Sequence, residues 1–356
     1  MPAYATERLK DVDRPLSLVA AVVGRAIGAA ASAARAADGR LLVVRPGGMG
    51  DLIAAQIAVE ELGRDPRADV RWVVERRSAA WARNQGLDHV AYDDRPAAAL
   101  AALAGRHAVV VNTEQLFGLS QGLTLAAGRR GGRAFAFATN RGSRAAIRVP
   151  YDAYDEHETV AFGRLLAVAW GLPFAPDAPP RPRARRRPSD GTLLVAVSGR
   201  QSPTRSLGVE QWAAIARAWA AGRPLTVVAA PIDRAFADEL AAQLGAGATR
   251  EDHGFDALCD RIARAEGLLT MDGGPVHIAS YHGTPTRTIF TSGREGKWAP
   301  LAEGSEIVRT SGLWCQPCTL FGQTPPTRNA LACHRLDPVA DVSPSPALLA
   351  AAAADV

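Results

Sequence analysis

Short apolar runs alternate with stretches of helical spacing along the sequence, and this alternation restricts the chain to a small set of folds. Residues 40–45 form an apolar run of strand length, a glycine-rich turn follows at 46–50, and 52–62 has helical spacing. Strands that alternate with helices build parallel βαβ units, so the pattern predicts open α/β sheets. Further strand-like runs occur at 70–74, 107–111, 192–197, 225–230 and 268–271.

A proline- and arginine-rich segment at 173–188 interrupts the alternation, and regular structure does not pass through such a segment. Ligands of open α/β sheets bind beyond the carboxyl ends of the strands, so the loops after residues 44, 197, 230 and 271 matter most. The predicted organisation is a helical extension (1–38), a first lobe (39–175), a linker (176–190), a second lobe (191–340) and a helical tail (341–356).

Composition excludes several classes of protein. With 47% hydrophobic and 22% charged residues among 356, the chain has enough apolar side chain to build cores, which excludes disorder over its whole length. No apolar run approaches the ~20 residues of a membrane-spanning helix. Acidic residues crowd the start and Arg25 divides the apolar stretch 16–34, so we expect an amphipathic helix rather than a secretion signal. We expect a cytoplasmic protein, with peripheral contact at the inner membrane face as an alternative.

The formal charge of +5 suits an anionic ligand such as a nucleotide, or an anionic surface. Only two of the 41 basic residues are lysines, a bias of composition that carries little information about binding. Nucleic acid is not an expected partner, because no stretch interleaves basic and aromatic residues.

Asp51 follows the first strand, at the start of the next helix. A dinucleotide-binding turn would have glycine where Ile53 stands. A carboxylate at this turn would repel a phosphate, but it could accept a proton from a sugar hydroxyl as a general base. The alternative is a first-turn aspartate that caps the helix and is stabilised by its dipole.

Two loops of the second lobe suit phosphate groups. Gly273 and Gly274 precede a helix that begins near Pro275, so their N–H groups could hold a diphosphate, with His277 adding a hydrogen bond. The loop 198–205 offers hydroxyls and arginines to phosphate oxygens. An ordinary glycine turn and an ordinary polar loop are the alternatives.

In this order the three segments resemble glycosyltransferase family 9, the ADP-heptose heptosyltransferases of lipopolysaccharide assembly, over about residues 40–340. The family's Gly-Asp pair after the first strand is similar to Gly50-Asp51. Its Asp-Ser-Gly-Pro-x-His-x-Ala segment with Gly-Thr-Pro is similar to 272–279 and 283–285. Later matches are Gly293, Trp298, Pro300, Leu301 and the Cys-x-Pro-Cys segment at 315–318.

The resemblance implies a GT-B fold, with two Rossmann-like lobes whose parallel sheets face a central cleft. It also implies inverting, metal-independent transfer of a heptose-type sugar from a nucleoside diphosphate donor, and the donor it implies is ADP-heptose. The acceptor would be a hydroxyl of a glycan, a lipid-linked, protein or small molecule. Asp51 would be the base, and the donor would be bound by Ser198, Gly199, Arg200, Arg205, Asp233, Asp272, Gly273, Gly274 and His277.

The sequence departs from the family pattern at several donor positions. Arg205 stands where the family has lysine, Leu207 and Gly208 replace tryptophan and proline, and Gly273 replaces serine or threonine. A non-catalytic nucleotide- or glycan-binding protein on the same fold, or a nucleotide-sugar epimerase, therefore remains an alternative.

Cys315, Cys318 and Cys333 could hold a structural zinc or iron ion, and reduced thiols or a disulfide are the alternatives. Catalysis of the implied kind requires no cofactor. The segment 151–158 gathers acids, tyrosines and one histidine, which would suit either an acceptor site or a capped helix start. Trp212 and Trp219, seven residues apart, indicate the core face of a helix.

Overall fold

The computed structural model describes residues 5–140, 146–176, 178–179, 182, 186–198 and 207–309, with side chains in the first helix given for Asp13 and from Leu16 onward. The chain divides into two units, each with its own sheet. Unit 1 comprises Met1–Asp152 and Glu158–Pro180, and unit 2 comprises Ala153–His157 and Arg181–Val356.

Unit 1 is built on six parallel strands in the order β3-β2-β1-β4-β5-β6. Every residue of the first strand is buried, as expected for a strand covered on both faces by helices. The strands are β1 (Leu41–Arg45), β2 (Val70–Val74), β3 (His89–Ala91), β4 (His107–Asn112), β5 (Gly128–Phe137) and β6 (Ile147–Val149).

In the described residues of unit 1, six helices connect and cover these strands, and the amino-terminal helix predicted from the sequence is present. Apolar side chains from the strands and from the crossover helices meet in a core that includes Leu42, Val73, Leu103 and Val110. The helices are α1 (Ala5–Ser32), α2 (Met49–Glu61), α3 (Arg76–Asn84), α4 (Pro96–Leu103), α5 (Ser120–Ala127) and α6 (Glu158–Trp170).

Unit 2 repeats the plan with six parallel strands in the order β12-β11-β10-β7-β8-β9. Trp212 and Trp219 are buried in its core, as their spacing predicted. The elements are β7 (Leu193–Val197), α7 (Val209–Ala220), β8 (Leu225–Ala229), α8 (Arg234–Leu244), β9 (Ala248–Glu251), α9 (Phe255–Arg264), β10 (Gly267–Met271), α10 (Gly274–His282), β11 (Thr286–Phe290), α11 (Glu295–Trp298) and β12 (Glu306–Arg309).

Both sheets contain a topological switch point, where the strand order reverses. In unit 1 it lies between β1 and β4, and in unit 2 between β7 and β10. The connections on either side of such a point leave the sheet in opposite directions, which opens a crevice at the carboxyl ends of the two strands. Each switch point therefore defines where a ligand can reach that sheet.

The segment 153–157 groups with unit 2, whereas the sequence-based limits put it in the first lobe. Its contacts explain the difference. His157 Nε2 lies 3.0 Å from the carbonyl oxygen of Ala299, and the guanidinium of Arg294 lies 4.8 Å from the centre of the Tyr154 ring. The other limits given for the lobes and the linker stay predictions. In the part of the chain described, the helices include none with the length and apolarity needed to span a membrane.

Candidate active site

Asp51 lies in the first turn of α2, beside the switch point of unit 1. Its Oδ2 accepts a hydrogen bond from the backbone N–H of Gly48 at 3.2 Å, which satisfies one free donor at the start of the helix. Its Oδ1 is 3.5 Å from Nε2 of Gln115 and 3.8 Å from Nη1 of Arg45. The side chain is 20% exposed. One oxygen thus caps the helix, while the other faces polar groups beyond β1 and β4.

Arg45, the last residue of β1, is buried beneath the turn that carries Asp51. Its guanidinium donates to the carbonyl oxygens of Thr113, at 2.7 Å, and of Pro46, and lies 3.5 Å from Oε2 of Glu114. Gly47 has a φ of +128°, and a Cβ at this position would lie 2.5 Å from Nη2 of Arg45. Glycine is required here because the chain must close over the guanidinium in a conformation that other residues avoid.

Two further carboxyl groups are buried near Arg45. Gln115 Nε2 lies 3.4 Å from Oε2 of Glu158, so this amide stands between Glu158 and Asp51. The hydroxyl of Tyr151 donates to Oε1 of Glu158. Burial raises the pKa of Glu114 above its ordinary value, and the positive charge of Arg45 opposes that shift. Burial and the neighbouring Glu158 raise the pKa of Tyr151.

The sequence analysis named Asp51, and it included Tyr151 and Glu158 within the segment 151–158 as a possible acceptor site, but it did not name Glu114 or Gln115. The signal was present, because the polar residues 112–115 follow the apolar run of β4 directly. The rule that selected the loops after β1, β7, β8 and β10 also applies to this loop. Nothing in the sequence indicated that Glu158 would approach Gln115, because that contact depends on the packing of α6.

In unit 2, the residue that follows β7 lies close to β10 and to the loop after it. Ser198 follows β7, and its Oγ is 3.3 Å from Oγ1 of Thr270 on β10. A Cβ on Gly273 would lie 3.2 Å from the same Oγ. These contacts bring two of the predicted phosphate-binding segments together at the switch point.

The second of these segments leads into α10. Pro275 lies in the first turn of this helix, so the free N–H groups at its start include those of Gly273 and Gly274. Asp272 is buried, and its N–H donates to the carbonyl oxygen of Ile289 at 3.1 Å. A Cβ on Gly293 would lie 2.4 Å from Oδ2 of Asp272, so glycine at this position leaves space for the carboxylate.

Basic side chains gather beside α10. The ring of His277 contacts Trp298 edge-on, with 5.6 Å between ring centres. Burial, together with the nearby His277 and Lys297, lowers the pKa of His157 to about 4, against the effect of its hydrogen bond to Ala299. Lys297 is buried as well. The sequence analysis missed Lys297 and considered His157 only as part of the segment 151–158.

Asp233 is buried at the end of a short 3-10 turn that follows β8, and β8 lies next to β7 in the sheet. Its proposed contact with the nucleotide remains a prediction. Gly199, Arg200, Arg205 and the cysteines Cys315, Cys318 and Cys333 lie outside the described residues. Among the residues that the structure describes, no group of three or more metal-ligating side chains occurs.

Residues 203–328 match the family model for glycosyltransferase family 9 (heptosyltransferase). No curated protein matches the sequence. A solved family 9 glycosyltransferase from Veillonella parvula has a TM-score of 0.64 at 15% identity, over 88% of this chain and 96% of that one.

Two Escherichia coli structures show the same fold. The heptosyltransferase WaaC has a TM-score of 0.61 at 17% identity, over 77% of this chain and 94% of its own. ADP-heptose LPS heptosyltransferase II has a TM-score of 0.61 at 16% identity, over 88% of this chain and 99% of its own. The fold class predicted from the sequence, α/β of the GT-B type, is thereby confirmed. Residues 203–328 are thus similar to glycosyltransferase family 9, the heptosyltransferase family, and the chain as a whole shares the fold of solved heptosyltransferases.

Proposed function

We propose that this protein acts as a glycosyltransferase that transfers a heptose-type sugar from a nucleoside diphosphate sugar to a hydroxyl group. ADP-heptose is the proposed donor. The transfer inverts the anomeric carbon and needs no metal ion. The acceptor would be a glycan, a lipid-linked molecule, a protein or a small molecule. The acceptor oxygen forms its bond to the anomeric carbon as the bond to the diphosphate breaks. The hydroxyl proton passes to a base. Action in the cytoplasm stays a prediction.

The observation that carries this proposal is the orientation of Asp51. Its Oδ2 is engaged by the N–H of Gly48, which leaves Oδ1 as the oxygen that takes the proton. Gln115 and Arg45 lie 3.5 Å and 3.8 Å from Oδ1 and limit the rotation of the carboxylate. A base with a fixed direction needs little rearrangement when the hydroxyl attacks.

The donor would bind to unit 2. The departing diphosphate gains negative charge, and free N–H groups at a helix start stabilise such charge. Gly273, Gly274 and His277 would supply these contacts, together with Ser198, Asp233, Asp272 and the loop residues Gly199, Arg200 and Arg205. E. coli WaaC has been solved with ADP and with ADP-2-deoxy-2-fluoro heptose, which makes adenine the first base to test.

A nucleotide panel tests the donor. We expect ADP to raise the melting temperature with and without Mg²⁺, while GDP, UDP and dTDP have little effect. At about 100 times its dissociation constant, a ligand stabilises the fold by about 2.7 kcal/mol. Preference for another nucleotide would reassign the donor, and no response to any would favour the non-catalytic alternative.

The Asp51→Asn variant tests the base. Asparagine retains the size of the side chain but takes up no proton, so ADP release from ADP-heptose in the presence of acceptor should fall by about 10²- to 10⁴-fold. The ADP-induced melting shift should stay. Asp94→Asn, at an exposed position of the same unit, is the control. Equal turnover by Asp51→Asn would remove Asp51 from the chemistry, and sugar conversion without acceptor would indicate an epimerase.

The cysteine cluster is a separate proposal. Metal analysis of the purified chain, with Cys315→Ser as comparison, would detect a structural zinc or iron ion. An iron-containing relative, the E. coli glycosyltransferase TibC, has a TM-score of 0.51 at 12% identity, over 90% of this chain and 78% of its own. Equal metal content in both samples would contradict a site at Cys315.

A further inference from the structure

Helix α1 packs against α5 through its smallest residues. A Cβ on Gly24 would lie 2.1 Å from the carbonyl oxygen of Gly122, and one on Gly28 would lie 2.4 Å from that of Leu125. Nearer the amino-terminal end of α1 and on the same side, the buried carboxylate of Asp13 accepts hydrogen bonds from the N–H groups of the two residues before α5. The side of α1 that faces the protein is therefore small and polar.

The exposed large apolar residues in the described part of α1 lie on its other side. Five of them, here called the α1 outer face, are exposed by between 48% (Leu16) and 72% (Val22). An ordinary surface helix has the reverse arrangement, with its large apolar residues toward the core. A contiguous apolar surface of this kind marks a contact site. The α1 outer face consists of Leu16, Leu18, Val19, Val22 and Val23.

Arginines surround the carboxyl-terminal end of α1. The guanidinium of Arg35 donates to the carbonyl oxygen of Ala101 at 2.8 Å, and Arg129 donates to that of Arg35 at 3.0 Å. The N–H of Arg130 donates to Oγ of Ser32, the last residue of α1. We call Arg35, Arg106, Arg129, Arg130 and Arg133 the arginine set.

The arginine set holds uncompensated positive charge. Asp38 is close to it, since its N–H donates to the carbonyl oxygen of Arg106, but its carboxylate pairs with Arg40 and lies 3.9 Å from Arg71. Asp88 also pairs with Arg40. Within the described ranges, no member of the arginine set has a carboxylate as an ion-pair partner. Positive charge next to an exposed apolar helix is the combination that binds anionic bilayers.

We propose that the α1 outer face and the arginine set together dock this protein on an anionic membrane surface. The leucine and valine side chains enter the boundary between headgroups and acyl chains, and the guanidinium groups bind lipid phosphates. A second copy of the chain fits less well, because it would bring an arginine set of the same sign and a net charge of +5 to the contact. The proposal is independent of the sugar donor and of the role of Asp51.

Sedimentation of the full chain with lipid vesicles tests this proposal. We expect the protein to sediment with vesicles of phosphatidylcholine that contain a quarter phosphatidylglycerol, and to stay in the supernatant with pure phosphatidylcholine. Salt at about 0.5 M should release much of the bound protein, because it screens the guanidinium–phosphate attraction. No sedimentation with either vesicle, or equal sedimentation with both, would overturn the proposal.

Paired variants separate the two contributions. Val19→Ser with Val22→Ser should reduce the bound fraction several-fold, whereas Val168→Ser, at a 43% exposed position of α6, should not. Arg130→Glu with Arg133→Glu should remove the preference for phosphatidylglycerol, whereas Arg83→Glu, on the exposed side of α3, should retain it. All these side chains are exposed, so the melting temperature should change little.

Two outcomes of the variant experiment count against the proposal. Unchanged sedimentation of the Val19→Ser, Val22→Ser variant would show that the α1 outer face does not contact lipid. The second outcome would come from light scattering over a range of protein concentrations, which detects dimers. A dimer that forms in the wild type and is lost in this variant would assign the face to a second copy of the chain and overturn docking on a membrane.

Discussion

At the scale of single residues, Asp51 shows how one side chain can cap a helix and still be available for the proposed role of general base. The sequence left a helix cap and a general base as alternatives. Oδ2 accepts the N–H of Gly48, and Oδ1 faces Gln115. The cap fixes the carboxylate without using both of its oxygens, so the two roles are compatible. The catalytic role is still a proposal.

Gly293 offers a residue-scale test of the donor site. A Cβ at this position would lie 2.4 Å from Oδ2 of Asp272, so Gly293→Ala forces that carboxylate or its loop to move. We expect ADP affinity to fall by about tenfold and the fold to lose about 1–3 kcal/mol. Calorimetric titration with ADP measures the first effect. Gly254→Ala, where a Cβ would meet no atom within 4 Å, is the control. Undiminished ADP affinity in Gly293→Ala would show that Asp272 is not part of the nucleotide site.

His107 predicts how stability depends on pH. Burial, together with the positive charges of Arg71 and Arg106, lowers its pKa from the ordinary 6.5 to about 4, against the opposing negative charge of Asp38. The unfolded chain therefore binds the proton more readily, and stability is lost as the pH falls from about 6.5 toward 4. Between pH 7 and pH 5 this group should account for about 2 kcal/mol.

Urea unfolding at pH 7 and pH 5 measures the dependence. The decrease in the free energy of unfolding from pH 7 to pH 5 should be smaller by about 2 kcal/mol in His107→Gln than in the wild type. His89→Gln, at a half-exposed position of β3, is the control and should lose as much as the wild type. An equal loss in all three proteins would exclude His107 as a source of acid sensitivity.

At the scale of elements, apolar runs determined which strands the sequence could predict. β1, β7 and β8 are buried at every position and were identified from short apolar runs. β9 and β12 lie at the edges of their sheet, where exposed positions accept polar residues. β5 begins with glycines and arginines, and its pairing depends on contacts distant in sequence. Its apolar segment is therefore too short to be recognised as a strand from the sequence.

The contact between α1 and α5 leads to a prediction about packing. Because a Cβ on Gly24 would lie 2.1 Å from the carbonyl oxygen of Gly122, Gly24→Val must separate the two helices. We expect a loss of about 1–3 kcal/mol in the free energy of unfolding. Ala30→Val adds the same side chain at an exposed position of α1 and should cost much less. Equal losses would mean that helix propensity, not the close contact, determines the effect.

At the scale of the whole molecule, the sequence indicated loops that lie beside the switch points but not the residues that surround them. Both switch points lie beside loops selected from the sequence, because the βαβ pattern indicates where the carboxyl end of each strand lies, whereas the order of the strands comes from the structure. The approach of Glu158 to Gln115, and of Lys297 and His157 to α10, could not be predicted. These contacts join segments that are distant in sequence, and no local pattern records them.

The two-unit organisation leads to the last prediction, which concerns where the nucleotide binds. If unit 2 holds the donor, ADP should slow hydrogen exchange at the amides from Thr270 to Val276, because the free N–H groups at the start of α10 would bind the diphosphate. Amides at 45–52 in unit 1, which includes Asp51, should change little. Mass spectrometry of peptides from the full chain resolves the two regions.

Asp51→Asn serves as the matched control in this experiment. It removes the proposed base and leaves the donor contacts, so protection over 270–276 should persist. Gly293→Ala should lose that protection, because the displaced carboxylate of Asp272 would disturb the same loop. Protection confined to 45–52 would instead assign the nucleotide to unit 1, and the roles proposed for the two switch points would have to be exchanged.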